Sequence, residues 1–317
     1  MSQSAHQNTI AIVWDFDKTL IPNYMQTPLF EKYGIDEATF WKENNSLKQL
    51  YKEQGIRINP DTMYLNHLLT YVKEGICPDL NNDVLRTLGQ QLPFFEGLPT
   101  FFEESKNSIS SDAHFSKFDI KLEHYIVSTG LTEMIKGSVI APFVDGIWGC
   151  EFIESPFVPV NGKLELKEAK TKTLSSIAYT IDNTTKTRAL FEINKGANVY
   201  ESVDVNQQMS EQDRRVPFHN MIYVADGPSD VPAFSVVKKG GGKAFAVYNK
   251  AHLKSFEQVV HLQEDGRVDM MGEADYRQGT TTYLWLMSQI RKMAENIVNQ
   301  KTAQLEKGKD GIPKHIV

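Results

Sequence analysis

The pattern of apolar and polar positions divides the chain into short buried strands separated by amphipathic helices. Residues 10–14 form a continuous apolar run rich in β-branched side chains, which is typical of a strand buried on both faces in a parallel sheet. Similar runs predict four more strands, at residues 125–127, 177–181, 221–224 and 244–247. Helical patterns separate most of them. The predicted fold is α/β, with a Rossmann-like parallel sheet flanked by helices.

About a hundred residues of helical character lie between the first two predicted strands. Asp36 is a suitable N-cap, and Pro60 is predicted to occupy the first position of a later helix. Further helical turns are predicted at residues 84–88 and 101–109. We therefore expect a helical domain, residues 24–108, inserted into an α/β core formed by residues 1–23 and 109–317. Four aromatic side chains are expected to pack the inserted helices together, with a hinge between insert and core as the alternative: Phe94, Phe95, Phe101 and Phe102.

The second half of the chain predicts further elements of the core. Residues 144–153 suggest a small hairpin, and the polar residues 196–220 suggest a surface excursion. A C-terminal helix is expected to pack on the core, with dimerisation as the alternative, through a stripe formed by Leu286, Ile290, Met293 and Ile297. Residues 301–317 are mostly polar and are expected to be frayed.

Composition excludes several classes of protein. The 317 residues are 41% hydrophobic and 23% charged, as in globular proteins, and the net charge of −6 argues against a nucleic-acid partner. No apolar run approaches the roughly 20 residues of a membrane span, and the first residues do not resemble an export signal. We expect a cytoplasmic protein without a membrane partner; its oligomeric state stays open. Cys77 and Cys150 are expected to be packed, reduced thiols.

The sharpest chemical feature is the segment at residues 15–19, Asp-Phe-Asp-Lys-Thr, directly after the first predicted strand. Where a strand gives way to a loop, both Asp15 and Asp17 can turn toward the crevice above the sheet, in which open α/β sheets bind ligands. A solvated corner between strand and loop is the alternative interpretation.

Two further segments carry groups suited to a phosphate. Ser128 follows the second strand and precedes a predicted helix, so it could belong to an anion site or be an ordinary N-cap. Lys186 lies just before another predicted helix and could neutralise a carboxylate and a phosphate together. Its spacing does not distinguish it from three neighbouring cations, Lys172, Arg188 and Lys195.

A second acidic pair, Asp226 and Asp230, follows the strand predicted at residues 221–224. Mg²⁺ prefers one or two carboxylates together with waters and phosphate oxygens, and Asp15 and Asp226 could supply such a pair. The alternative is that Asp226 simply begins a turn, because Asp-Gly is a common turn dipeptide.

The order of these segments resembles the haloacid dehalogenase (HAD) superfamily of phosphohydrolases. Its four motifs match residues 15–19, Ser128, Lys186 and residues 226–230, and the resemblance extends from residue 10 to about residue 250. The insert is similar to the helical C1-type cap of the phosphoserine-phosphatase-like subgroup. One departure is Ala225, where many members have glycine. The resemblance implies a Mg²⁺-dependent phosphomonoester hydrolase that acts on a small phosphorylated metabolite through an aspartyl-phosphate intermediate.

The resemblance also implies roles for individual residues. Asp15 is the implied nucleophile, and Asp17 the acid that protonates the leaving oxygen and later activates water. The implied Mg²⁺ ligands are the side chains of Asp15 and Asp226 and the backbone carbonyl of Asp17. Ser128 and Lys186 are implied to stabilise the phosphoryl oxygens. Asp230 is implied to orient Lys186 or a metal-bound water, and Thr19 to support the residues that contact substrate and metal.

The substrate is less well defined by the sequence. Phosphoserine phosphatases have a glutamate soon after the first motif, whereas residues 20–30 contain no acidic residue and Tyr24 stands near that position. Phosphoserine is therefore disfavoured. Arg57 in the insert could contact a substrate anion or be solvated. A phosphoryl-ligand sensor without turnover is the alternative function, although a pure binder has no need of Asp17 as an acid.

Overall fold

A computed structural model of the chain describes residues 7–166 and 172–310. The strands are β1 (Thr9–Trp14), β2 (Lys121–Leu131), β3 (Gly146–Ile153), β4 (Phe157–Val160), β5 (Lys163–Leu166), β6 (Ser176–Tyr179), β7 (Met221–Ala225), β8 (Lys243–Tyr248) and β9 (Met270–Glu273). The helices are α1 (Thr27–Tyr33), α2 (Glu37–Glu53), α3 (Met63–Lys73), α4 (Asn82–Gly89), α5 (Thr100–Ser110), α6 (Ala113–Ser116), α7 (Thr132–Gly137), α8 (Lys186–Lys195), α9 (Val231–Lys239), α10 (Leu253–Glu264) and α11 (Thr281–Asp310).

Seven strands form one twisted sheet in the order β6-β3-β2-β1-β7-β8-β9. Neighbouring strands run parallel, except that β6 pairs antiparallel with β3 at one edge. The chain leaves β1 toward β2 on one side and later returns to place β7 on the other side. Strand order therefore reverses at β1, which is where open α/β sheets form a ligand crevice. The predicted α/β class is confirmed.

The central strand β1 is buried along its whole length. Because successive side chains point to opposite faces of a sheet, Ile10, Ile12 and Trp14 enter one apolar core while Ala11 and Val13 enter the other. The first core also contains the apolar stripe of α11, so that stripe packs within the chain, as predicted. Burial on both faces explains the unbroken apolar run in the sequence.

The aromatic residues near the end of the insert pack on the sheet and not between inserted helices, which corrects the sequence interpretation. The rings of Phe101 and Phe102 in α5 lie 5.9 and 5.5 Å from that of Trp14, edge to face. Phe94 makes the same type of contact with Phe16. Helix α5 runs across residue 108 and covers this face of the sheet, while the domain boundary itself stays a prediction.

The hairpin prediction for residues 144–153 is wrong. Strand β3 continues through Gly149 without a turn and pairs with β2 on one side and β6 on the other. The hairpin lies farther along, where β4 and β5 pair around the turn at Asn161 and Gly162. An Asp-Gly dipeptide at the start of β3 gave the turn signal, but it only introduces the strand.

Other boundaries differ by a few residues. The Asp36 side chain caps α2 through the Thr39 amide, as predicted, whereas the helix expected at Pro60 begins at Met63. Much of residues 196–220 is exposed, but the segment returns to the core at Val216. Part of the frayed end predicted at residues 301–317 is helical, since α11 reaches residue 310, and residues 311–317 lie outside the described residues.

Both cysteines are buried free thiols, as predicted. Within residues 7–166 and 172–310, no helix combines the length and the apolar character required to cross a bilayer.

Helix α4 of the insert is tied to helix α7 of the core through glycine. A Cβ added at Gly89 would meet the backbone carbonyl of Met134, and one added at Gly137 would meet the carbonyl of Arg86. We predict that Gly89→Ala lowers the free energy of unfolding by about 1–3 kcal/mol, because the backbone atoms it meets cannot move aside. Urea denaturation measures the change, with the exposed Thr87→Ala on the same helix as control. An unchanged midpoint in Gly89→Ala would show that the two helices can separate freely.

Candidate functional site

The site begins where β1 ends. The Asp15 amide donates to the carbonyl of Val224 at 2.9 Å, which fixes the end of β1 against β7. The chain then turns tightly, with the amides of Thr19 and Leu20 donating to the Phe16 carbonyl and with Lys18 in the left-handed region at φ 59°. This turn brings both acidic residues of the first motif to the carboxyl edge of the sheet.

The Asp15 carboxylate is held at both oxygens. Lys186 Nζ donates to Oδ1 at 2.7 Å, and the Thr19 hydroxyl donates to Oδ2 at 3.2 Å. All three side chains are buried. The sequence prediction that Thr19 supports Asp15 therefore corresponds to a contact in the structure.

Lys186 bridges two carboxylates. Its Nζ also donates to Asp230 Oδ1 at 2.7 Å, and only 1% of the residue is exposed. The three alternative cations do not reach the site. Arg188 pairs with Glu192, Lys195 donates to backbone carbonyls in the loop after α8, and Lys172 is exposed.

Local capping positions Lys186 at the start of α8. The Asp182 carboxylate accepts hydrogen bonds from the amides of Thr184 and Thr185, and its carbonyl accepts from the Lys186 amide. The insert contacts this same loop, because Asn59 donates to the Asp182 carboxylate at 3.0 Å.

Tyr223 is a member of the site that sequence reasoning missed. Its hydroxyl donates to Asp230 Oδ1 at 2.6 Å, while Ser229 donates to Oδ2 at 2.9 Å. Asp230 is fully buried and therefore satisfied on both oxygens. The available signal was a tyrosine within the otherwise apolar run of β7.

Asp17 faces a different environment from Asp15. Its Oδ1 accepts from the Met25 amide at 3.0 Å, and its side chain lines the cavity under the insert. It has no ion-pair partner among the described residues.

Ser128 lies in β2, next to β1, and is buried. The free amides expected around it are partly occupied in this structure. The Gly130 amide donates to the Ser128 hydroxyl at 3.0 Å, and the Leu131 amide donates to Met25 Sδ at 3.0 Å. Helix α7 begins only at Thr132.

Burial and mutual repulsion raise the pKa values of Asp15, Asp17 and Asp226. Burial raises the pKa of Asp15 to about 6, although the nearby Lys186 ammonium opposes the rise. Burial and the Asp15 charge raise the pKa of Asp17 well above its ordinary value. Burial, Asp15 and Asp230 together raise the pKa of Asp226 to about 8. Burial alone would lower the pKa of Lys186, but the two carboxylates outweigh it and raise that pKa.

The acidic groups fit a hard divalent cation. Asp15, Asp226 and Asp230 each offer a carboxylate oxygen, and these oxygens lie within 4.8 Å of one another. Asp230 is already satisfied by Lys186, Tyr223 and Ser229. Asp15 and Asp226 stay the predicted cation ligands, although Lys186 and Thr19 also donate to Asp15.

A cavity of about 420 Å³ opens between the first motif and the insert. Its lining residues are Asp17, Tyr24, Gln26, Trp41, Asn44, Asn45, Pro60, Asp61, Tyr64 and Thr129. The Tyr64 hydroxyl closes one side by donating to the Thr129 carbonyl at 2.7 Å. Tyr24, noted in the sequence, lies here and accepts from Lys18 Nζ at 2.8 Å, whereas Arg57 is exposed and does not line the cavity.

Comparison with known proteins identifies a close relative in sequence. No family model matches the chain. An uncharacterized protein of Borreliella burgdorferi is 42% identical over 288 residues, which cover 90% of this chain and 97% of that protein. The chain belongs to the family of this Borreliella protein.

Three solved structures are similar at low identity. A probable phosphoserine phosphatase from Vibrio cholerae has a TM-score of 0.49 and 13% identity, covering 95% of this chain and 69% of its own. A phosphoserine phosphatase in apo form has a TM-score of 0.47 and 16% identity, covering 83% and 92%. A HAD family hydrolase from Salmonella enterica serovar Typhi has a TM-score of 0.46 and 15% identity, covering 79% and 65%. By their names, these three proteins are HAD family hydrolases or phosphoserine phosphatases, the groups to which the sequence motifs were compared. All three TM-scores lie below 0.5, so the chemistry of the site rests on its own residues.

We predict that Asp226→Asn stabilises the metal-free protein at pH 8. The pKa of Asp226 is about 8 in the folded protein and about 3.9 in the unfolded chain. The folded state therefore binds the proton more tightly, and this contribution to stability is complete below about pH 3.9 and is lost as the pH rises through about 8. An amide carries no such charge. In EDTA at pH 8 the melting temperature of the variant should exceed that of the wild type by at least about 2 °C, and the difference should shrink at pH 5.

The exposed Asp265→Asn serves as the matched control and should leave the melting temperature unchanged. Adding Mg²⁺ should raise the melting temperature of the wild type more than that of Asp226→Asn, because a cation bound only to the folded state stabilises it. A less stable variant in EDTA at pH 8 would show that Asp226 is satisfied without a cation.

Proposed function

We propose that the protein is a Mg²⁺-dependent phosphomonoesterase that acts through a phosphorylated Asp15. The observation that carries the proposal is the contrast between the two acids of the first motif. Asp15 is ion-paired with Lys186, whereas Asp17 has no ion-pair partner within residues 7–166 and 172–310 and lines the cavity. Environments that push two neighbouring carboxyl groups apart in pKa assign one as the base or nucleophile and the other as the acid.

Asp15 has the properties of a nucleophile. Lys186 and Thr19 fix both of its oxygens, which removes the rotational freedom that attack on phosphorus would otherwise have to restrict. The ammonium favours the carboxylate form and remains beside it to offset negative charge on the phosphoryl group. Asp15 attacks phosphorus and forms the acyl phosphate, while the ester oxygen departs.

Asp17 has the properties of a general acid. Burial and the Asp15 charge raise its pKa well above the ordinary value, which favours the protonated carboxyl group, and its position at the cavity would put that proton beside a leaving group held there. After the alcohol leaves, the Asp17 carboxylate can take a proton from the water that hydrolyses the acyl phosphate. Asp17 thus gives up one proton in the first step and regains one in the second, so it ends the cycle protonated.

Asp15 and Asp226 would hold the cation with their side chains, and the backbone carbonyl of Asp17 is the third protein ligand we propose. When bound, Mg²⁺ supplies positive charge that offsets the repulsion between the carboxylates and the incoming phosphate. Asp230 holds Lys186 from the far side, and Ser128 lies on the adjacent strand, where its hydroxyl can turn toward a phosphoryl oxygen. The substrate is a small phosphorylated molecule whose alcohol part occupies the cavity.

We predict that Asp15→Asn abolishes turnover of an aryl phosphate, because an amide is a poor nucleophile. Asp17→Asn should reduce kcat by about 10²–10⁴-fold, since the amide cannot donate the proton. Steady-state assays with and without Mg²⁺ and EDTA measure both effects. Asp36→Asn is a matched control, because asparagine caps a helix as well as aspartate.

Rapid quenching of a single turnover should capture labelled phosphate on the peptide that contains Asp15. Wild-type rates in either variant would overturn the assigned roles. If the purified protein turns over no phosphate ester with Mg²⁺ present, hydrolysis is excluded and the sensor interpretation replaces it.

A further inference from the structure

The cavity under the insert contains two buried oxygens without partners. The side-chain oxygens of Gln26 and Asn44 accept no hydrogen bond within the described part of the chain, although these residues are only 4% and 6% exposed. A buried acceptor without a partner costs free energy, so such groups are rarely left unpaired. Both side chains line the cavity that Asp17 also lines.

The Gln26 side chain contacts the Tyr64 hydroxyl, but neither side-chain oxygen has an evident role in the fold. Gln26 is the N-cap residue of α1, but its side chain makes no capping hydrogen bond. Asn44 lies in the middle of α2, where asparagine is a poor helix former and where burial of an unpaired amide is unfavourable. Residues that are unfavourable for local structure and do not stabilise the fold in another way are expected at functional sites.

Three aromatic side chains, Tyr24, Trp41 and Tyr64, also line the cavity. The Trp41 ring lies 5.6 Å from that of Tyr24 and 6.0 Å from that of Tyr64, at interplanar angles of 44° and 50°. Among the described lining residues there is no Lys, Arg or His, whereas Asp17 and Asp61 are acidic. Lys18 contacts Tyr24 but does not line the cavity.

From these observations we propose the class of leaving group, a proposal that rests on the phosphatase function proposed above. The substrate is a phosphate monoester of a polar alcohol that is neutral or cationic and directs N–H or O–H donors at Gln26 and Asn44. The acceptors satisfy those donors, and the aromatic faces cover its carbon skeleton and attract any positive charge. A second anionic group would be buried without a partner, which is costly.

Size is compatible with this class. A cavity of about 420 Å³ lies within the usual range of small-molecule sites, about 300–1,000 Å³. The Tyr64 hydroxyl, which donates to the Thr129 carbonyl at 2.7 Å, and Asp17 line the same cavity, so a leaving group held there lies close to Asp17.

Two sets of three substrates test the proposal with the purified full chain and Mg²⁺. The small set is 2-aminoethyl phosphate, propyl phosphate, which replaces the ammonium with a methyl group, and phosphoserine, which adds a carboxylate. The large set is glucosamine 6-phosphate, which carries donors and a positive charge, cyclohexylmethyl phosphate, which is apolar, and 6-phosphogluconate, which carries a carboxylate. In at least one set, kcat/KM for the first compound should exceed both others at least tenfold. If this holds in neither set, the proposal is overturned.

Variants of the two amides test which residues produce the preference. Asn44→Leu and Gln26→Met remove the acceptors at similar volume. In either variant, the ratio of kcat/KM between the donor-bearing and the apolar compound should fall at least fivefold. The exposed Asn66→Leu on α3 is the control and should keep the wild-type ratio. Because each ratio is measured within one preparation, partly unfolded protein does not change it.

The outcomes separate this proposal from the function on which it rests. If both amide variants keep the wild-type ratio, the recognition proposal is overturned. If an aryl phosphate is hydrolysed but neither set shows the preference, the phosphatase function stands and the recognition proposal fails. If no ester is hydrolysed, including the aryl phosphate, both fail together.

Discussion

The buried ammonium of Lys186, held between Asp15 and Asp230, is the interaction on which the site depends. It joins the carboxyl end of β1, the first residue of α8 and the turn after β7, three places far apart in sequence. Leaving one member of such a buried group unpaired costs about 3–5 kcal/mol, so the arrangement fixes these elements relative to one another. Tyr223 and Ser229 complete the hydrogen bonding of Asp230. The lysine therefore has a fixed position before any substrate arrives, which is the condition for electrostatic catalysis without reorganisation.

Concentrated negative charge is the opposing constraint. Asp15, Asp17, Asp226 and Asp230 converge at one edge of the sheet, and Lys186 is the buried cation the structure places among them. One ammonium cannot neutralise four carboxyl groups, so Asp15, Asp17 and Asp226 keep raised pKa values. A chain that retains such destabilising charge within a well-packed core exchanges stability for function. A divalent cation would relieve the repulsion and make the fold more stable.

The sequence predicts the sheet centre well because burial on both faces leaves an unmistakable apolar run, as in β1 and β7. The sequence also predicts that the acidic residues lie at the carboxyl ends of β1 and β7, because each follows directly after a recognisable apolar run. It fails where a signal is weak or depends on long-range packing. Strand β9 has four residues and no such run, and the turn signal at residues 145–146 conceals the continuity of β3. Spacing could not choose Lys186 over Arg188, because only burial against two carboxylates distinguishes them.

The recognition groups of the cavity lie beyond any sequence pattern for the same reason. In the sequence, Asn44 resembles any polar residue on an amphipathic helix. Only the fold shows that its side-chain oxygen is buried and accepts no hydrogen bond from the described residues. The two halves of the site then differ in charge preference. The core edge, with Lys186 and the proposed cation, would attract a phosphate dianion, whereas the cavity wall, with acidic and aromatic side chains, disfavours anions. A substrate fits both only if its negative charge is confined to the phosphate, and the geometry imposes this polarity whatever the carbon skeleton of the alcohol.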